Sequence, residues 1–193
     1  MFQNNLLMAA ASASGTSLVE VGNSALYVSG NDEWLGRTPS ETGVEEKGTF
    51  SGWIYRGSTS GAQSIFTAYV DASNFFHIYL NTDDTILFSQ LSSSYDWQLI
   101  TTQVFRDIGW YHIVAAIDTT QAIASERAIL YVNGKRVSAF STETYPSLNF
   151  VNDFNTASVP NLIGSFDTTP SNEFDGYMAE AVWIDGTQYA ATD

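Results

Sequence analysis

From Ala25 onward the apolar residues arrive in segments of five to ten, each closed off by Gly, Asn, Asp or Ser. Segments that short are poor amphipathic helices. Joined at regular spacing by turn formers, they specify antiparallel strands stacked as a sandwich or closed as a barrel. The expected strands are Ala25–Ser29, Thr49–Arg56, Gln63–Val70, Phe75–Asn81, Thr85–Gln90, Gln98–Val104, Trp110–Asp118, Ala128–Asn133, Lys135–Phe140, Asn161–Ser165 and Gly176–Ile184. The best helical candidate, Thr120–Arg127, amounts to a turn or two.

Two of these segments carry information beyond their spacing. In AILYVNGKRVSAF, Asn133-Gly134 supplies the two positive φ values that a type I′ hairpin turn requires. A two-residue loop sets Val132 opposite Lys135, Tyr131 opposite Arg136 and Leu130 opposite Val137, with Tyr131 and Arg136 as a stacked pair on the wetter face. The segment WYHIVAAID, Trp110–Asp118, is apolar on both faces and therefore belongs in the middle of a packed sheet. His112 lies within it. An imidazole there is either a ligand or base, or a buried ring bonded to neighbouring backbone; the second reading is preferred.

Charge removes whole classes of function. The chain carries a net charge of −14 with seven basic residues, so the basic stripe that neutralises phosphates is missing and nucleic-acid binding is not expected. Anionic membrane surfaces are disfavoured for the same reason, and no apolar run is long enough to insert across a bilayer. With no Cys and two His, thiolate zinc sites, iron–sulfur clusters, thiol catalysis and His-rich metal centres are excluded.

Four segments resemble laminin G-like domains of the concanavalin A-like lectin/glucanase superfamily. They are FSGWIYRG (Phe50–Gly57), GWYHIVAAID (Gly109–Asp118), ILYVNGKRV (Ile129–Val137), and LIGSF with FDGYMAEAVWIDG (Leu162–Phe166 and Phe174–Gly186). They occur in the family's order. The resemblance implies an all-β jelly-roll sandwich of two antiparallel sheets, one of them curved and concave, over residues 18–193, with its first and last strands close together. The opening MFQNNLLMAA, a spacer of small residues, and NDEWLGRTPS (Asn31–Ser40) resemble a second group: tail-fibre-type structural proteins of tailed-bacteriophage virions. That implies a virion location, other virion proteins as partners, homo-oligomers, and assembly or attachment to host cell-surface glycan as the task. A free-standing carbohydrate-binding lectin is the alternative reading, and a polysaccharide hydrolase the remote one.

Residues 1–17 are uncharged and lack strand alternation. Leu6–Ala11 resembles a short signal-peptide core, but the positive segment such a peptide needs before it is missing. The preferred reading is an arm whose Phe2, Leu6, Leu7 and Met8 dock on a partner, since so short a segment cannot bury enough apolar surface alone to offset its ordering entropy.

Sugars stack on exposed aromatic rings and take hydrogen bonds from amides, hydroxyls and carboxylates. Alternation along Asn74–Asn81 sets Phe76, Ile78 and Leu80 toward a core and Phe75, His77 and Tyr79 on the other face as a platform. Tyr95 and Trp97, read as a loop tip, are the second candidate group. Relatives of this type hold calcium at a loop rim, which singles out Asp83 and Asp84 in NTDDT as the metal candidates. No other cofactor is expected. Superfamily glucanases set paired acids on one strand; here Glu173, Asp175 and Glu180 have the wrong spacing, and the resemblance puts Glu173 and Asp175 in the turn before the closing strand, so no catalytic residue is assigned.

Overall fold

The computed structural model describes residues 7–8, 19–20 and 24–192. Its strands are β1 (Leu7–Met8), β2 (Val19–Glu20), β3 (Ser24–Tyr27), β4 (Leu35–Arg37), β5 (Lys47–Arg56), β6 (Gln63–Asp71), β7 (Asn74–Leu80), β8 (Thr85–Ser92), β9 (Ser94–Val104), β10 (Trp110–Asp118), β11 (Ala128–Val132), β12 (Lys135–Arg136), β13 (Phe140–Thr144), β14 (Asn161–Ile163) and β15 (Gly176–Asp185). Apart from the small β1–β2 pair, they form a six-stranded sheet, β12-β11-β10-β5-β15-β3, and a seven-stranded sheet, β13-β9-β8-β7-β6-β14-β4. Every pairing is antiparallel. This is the all-β, two-sheet sandwich expected from the segment pattern.

The core between the sheets follows strand alternation. Phe50 and Ile54 of β5 and Ile113, Ala115 and Ile117 of β10 meet Phe66, Phe76, Ile78 and Phe88 of the facing sheet, all buried. Burying one such side chain fully contributes roughly 1.5–3 kcal/mol, and this layer holds the two sheets together. Trp183 of β15 lies flat on Phe66, centroids 4.8 Å apart, and packs against Phe154 at 4.6 Å.

The two-sided apolar strand sits where its composition demands: β10 lies between β11 and β5. The hairpin also keeps its expected register, with Tyr131 opposite Arg136 and Val132 opposite Lys135. Asn133 and Gly134 take φ values of 51° and 75°, as a type I′ turn needs. The expected Tyr131–Arg136 stack gives way to an ion pair. The Arg136 guanidinium forks onto Glu126 at 2.9 and 3.0 Å, and bidentate charged hydrogen bonds outcompete a cation–π contact at an exposed site.

Three other expectations are corrected. Lys135–Phe140 is not one strand: β12 stops at Arg136, and the chain crosses to the other sheet to start β13 at Phe140. β4 is an additional strand inside NDEWLGRTPS, pairing as the edge beside β14. Thr120–Arg127 reduces to one 3-10 turn at Ala124–Glu126. The closing strand β15 lies between β5 and β3, so the first sandwich strand and the last are neighbours, as the resemblance implied.

Candidate functional site

β7 runs near the middle of the seven-stranded sheet, between β6 and β8. Phe76, Ile78 and Leu80 point into the core and are fully buried. Phe75, His77 and Tyr79 therefore share the outer face, as alternation predicts. The strand registers add their neighbours. Thr67 stands opposite His77 on one side and Ser89 on the other. Tyr69, Phe75 and Leu91 form the adjacent rung, and Ser64, Tyr79 and Leu87 the rung beyond. A polar row thus crosses three strands between two largely aromatic and aliphatic rungs.

That row is deeply set. His77 is 4% exposed, and Thr67 and Ser89 are fully buried. Tyr79 stacks on the imidazole at 5.0 Å and Phe75 tilts against it at 4.9 Å. Phe166, from the loop after β14, packs onto the same face, 4.8 Å from Phe75, 5.6 Å from Tyr69 and 6.1 Å from His77. Burial pushes the His77 pKa down to about 3, so the ring is neutral and offers one N–H donor and one bare nitrogen. Among the described residues neither ring nitrogen has a hydrogen-bond partner, and the hydroxyls of Thr67, Ser89 and Ser64 have none either. Each buried polar group left unmade costs about 1–3 kcal/mol, so the fold carries here a set of neutral donors and acceptors without protein partners among the described residues. Tyr95 stands at the rim, 42% exposed, beside Leu91 across the β8–β9 hairpin. Burial, and then the nearby Tyr95, raise the Tyr79 hydroxyl to about 12, so it stays a neutral donor.

Trp97 is not part of this rim. β9 begins at Ser94, four residues before the expected start, so the supposed loop tip is strand and alternation turns Trp97 inward. It is fully buried, edge-on to Phe88 at 5.0 Å, and its indole N–H donates to Asn152 Oδ1 at 3.0 Å. The true hairpin tip is Ser93, whose φ is 62°.

Asp83 and Asp84 do not form a cation site. Asp84 accepts from the Arg56 guanidinium at 2.9 Å and from Arg106 Nε at 3.1 Å, so two cations already neutralise it. Asp83 accepts from the Thr85 hydroxyl at 2.6 Å and the Thr85 amide at 3.1 Å, closing a turn that holds its carboxyl below the usual range. Calcium does not fit this donor set, and no group of three or more His, Asp or Glu among the described residues is arranged to hold a metal ion. Phe2 and Leu6 of the expected docking arm lie outside the described residues; Leu7 and Met8 form β1.

His112 lies on the outer face of the other sheet. Its Nε2 is 3.1 Å from Ser51 Oγ and its ring stacks on Trp53 at 4.8 Å. The ring is half-buried and its partner is a side-chain hydroxyl, which corrects the expected backbone bond; its own amide donates to Asn133 Oδ1. The three acids have different surroundings. Glu173 is buried with its carboxylate on the Gly30 amide, Asp175 is in the segment entering β15, and Glu180 is on the β15 bulge, close enough to His112 to oppose the lowering of its pKa by burial.

The polar row was half legible. His77, Phe75 and Tyr79 follow from alternation on one strand. Thr67, Ser89 and Ser64 need the registers of β6 and β8, and Phe166 comes from a loop with no local signal.

A sandwich with these two sheets and this closing strand defines a class, and the sequence supplies the family. Residues 29–188 match a laminin G family model described as the concanavalin A-like lectin/glucanases superfamily. The chain belongs to that superfamily. No curated protein matches it. Among solved structures it is similar to domain 4 of AbnA, a GH43 extracellular arabinanase from Geobacillus stearothermophilus, in complex with arabinotriose. The TM-score is 0.61 at 16% identity, over 88% of this chain and 79% of that one. It is also similar to the CBM40 of the Ruminococcus gnavus IT-sialidase, at TM-score 0.53 and 15% identity over 78% of this chain and 91% of that one. A third likeness is the heptameric SAP-like pentraxin of Limulus polyphemus, at TM-score 0.57 and 14% identity over 83% and 74% of the two chains. At these identities the likeness is one of fold.

Proposed function

We propose that the chain is a non-catalytic, glycan-binding sandwich of a tailed-bacteriophage virion structural protein, serving attachment to host-surface sugar, assembly, or both. The observation that carries the binding part is the buried row Thr67–His77–Ser89, unpartnered and flanked by Tyr79 and Tyr95. A sugar brings both things this face lacks: neutral hydroxyls for the row and apolar ring faces for the tyrosines. Domain 4 of the arabinanase holds arabinotriose on the same fold, which supports the reading. The engagement of Glu173 with the Gly30 amide supports a binding role over hydrolysis, which needs two carboxyls facing one bond about 5–9.5 Å apart. The virion part rests on the opening segments MFQNNLLMAA and NDEWLGRTPS.

A glycan array probed with the full chain should give hits that weaken at least tenfold in Tyr95→Ala, a rim change that leaves the core intact. No hit on the array or on host envelope removes the binding reading. The virion reading is tested separately: deleting residues 1–17 should leave the melting midpoint of the sandwich nearly unchanged and abolish incorporation into particles.

A further inference from the structure

β4 and β14 close one side of the seven-stranded sheet, and on their inner side the sandwich opens into an edge cavity of about 230 Å³. Its wall includes Leu35 and Arg37 of β4, Asn161 and Ile163 of β14, Phe66 of β6 and Trp183 of β15. Leu35 is 57% exposed although its register partners Ile163 and Phe66 pack against the core, so nothing fills the space in front of it. This cavity lies on the opposite side of the sheet from the His77 row.

Three side chains of the wall carry a polar group without a protein partner among the described residues. The Trp183 indole N–H and Asn161 Oδ1 are buried without a hydrogen bond. Asn161 spends its amide N–H on Val159 O at 3.2 Å, which leaves the oxygen as a free acceptor. Among the described residues Arg37, register partner of Asn161, makes no ion pair, as is true of Arg127 and Lys135, whereas Lys47, Arg56, Arg106 and Arg136 do. In a chain of net charge −14 a guanidinium without a carboxylate partner, on the same cavity wall as an indole donor, is a local exception to a field that repels anions. Screening confines that field to about 8 Å at physiological salt, so local donors decide what enters.

We propose that this edge cavity binds the carboxylate of a small sugar acid, a single uronate ring. The carboxylate sits between the Arg37 guanidinium and the Trp183 N–H, a ring hydroxyl donates to Asn161 Oδ1, and Leu35 and Ile163 pack against the apolar side of the ring. The carboxylate pocket stands independently of the His77 face; the choice of a sugar as its carrier rests on the glycan-binding reading.

The test is a nitrogen-15 NMR titration of the full chain, following the Trp183 indole signal assigned through Trp183→Phe. The probes are sodium galacturonate, galactose and sodium acetate. Galacturonate should move the signal saturably, and Arg37→Gln, at an exposed edge position, should weaken it at least tenfold. Tyr95→Ala should leave this titration unchanged, which separates it from the outer-face reading. An indole signal unmoved by galacturonate, or moved equally by galactose, or equally in Arg37→Gln, would overturn the site. Acetate binding as tightly as galacturonate would overturn the sugar assignment.

Discussion

His77 is neutral in the fold because burial holds its pKa near 3, while an unfolded chain protonates it near 6.5. A lowered histidine pKa stabilises the fold above pH 6.5, and that stability is lost as pH falls toward the folded value. Wild type should therefore lose about 1 kcal/mol more than His77→Phe between about pH 7.5 and 5.5, measured by urea unfolding; equal losses would show that the ring is protonated in the fold. His112 is shifted in the same direction but is present in both proteins and cancels. A second residue-scale prediction concerns Arg56. Its side chain is fully buried, with Nη1 held by Asp84 and by Phe105 O at 2.5 Å. Asp84→Asn keeps the shape and tolerates the left-handed φ of 67° but strands a buried charge, so it should cost about 3–5 kcal/mol. Adding Arg56→Met should recover part of that loss. A single-variant cost below about 1 kcal/mol would mean the charge finds water.

Among the strands, Gly176 is the most constrained position. It enters β15 at φ 146°, and a Cβ there would sit against the Tyr55 carbonyl oxygen, far inside contact distance. Gly176→Ala must push β15 away from β5 at the pairing that closes the sandwich, so a loss of roughly 3–5 kcal/mol is expected by denaturant unfolding; a loss under about 1 would place β15 differently. Local pattern accounts for much of this architecture. β10 was readable because both its faces are apolar, and the β11–β12 turn because Asn-Gly permits few alternatives. The crossover between Arg136 and Phe140 was not, because VSA offers only Ser138, a weak turn former, and the change of sheet is decided by what Phe140 packs against. β4 was hidden by Gly36 and the nearby Pro39, which read as loop. A Cβ at that glycine would meet the Trp34 ring. Trp97 shows the cost at the site: four residues' error in where a strand starts exchanges rim for core. The unpaired row at His77 is a property of three registers together, and no single segment contains it.

For the whole molecule, a net charge of −14 on this surface means self-repulsion in the compact state. Raising sodium chloride from about 20 to 200 mM shortens the screening length to below 10 Å and should raise the melting midpoint; a fall would show that the ion pairs outweigh the repulsion. The same scale gives meaning to the pairing of β3 with β15. Ser24 lies opposite Ala179 and Tyr27 opposite Gly176, so the chain enters β3 from the same side on which it leaves β15, six residues further on at Asp185. A pull applied through those two points loads the rungs between them one after another, like a zipper, rather than all together in shear. Such a sandwich yields to tension at low force by peeling β3 away, while β15 stays bonded to β5 and the remaining layers hold their shape.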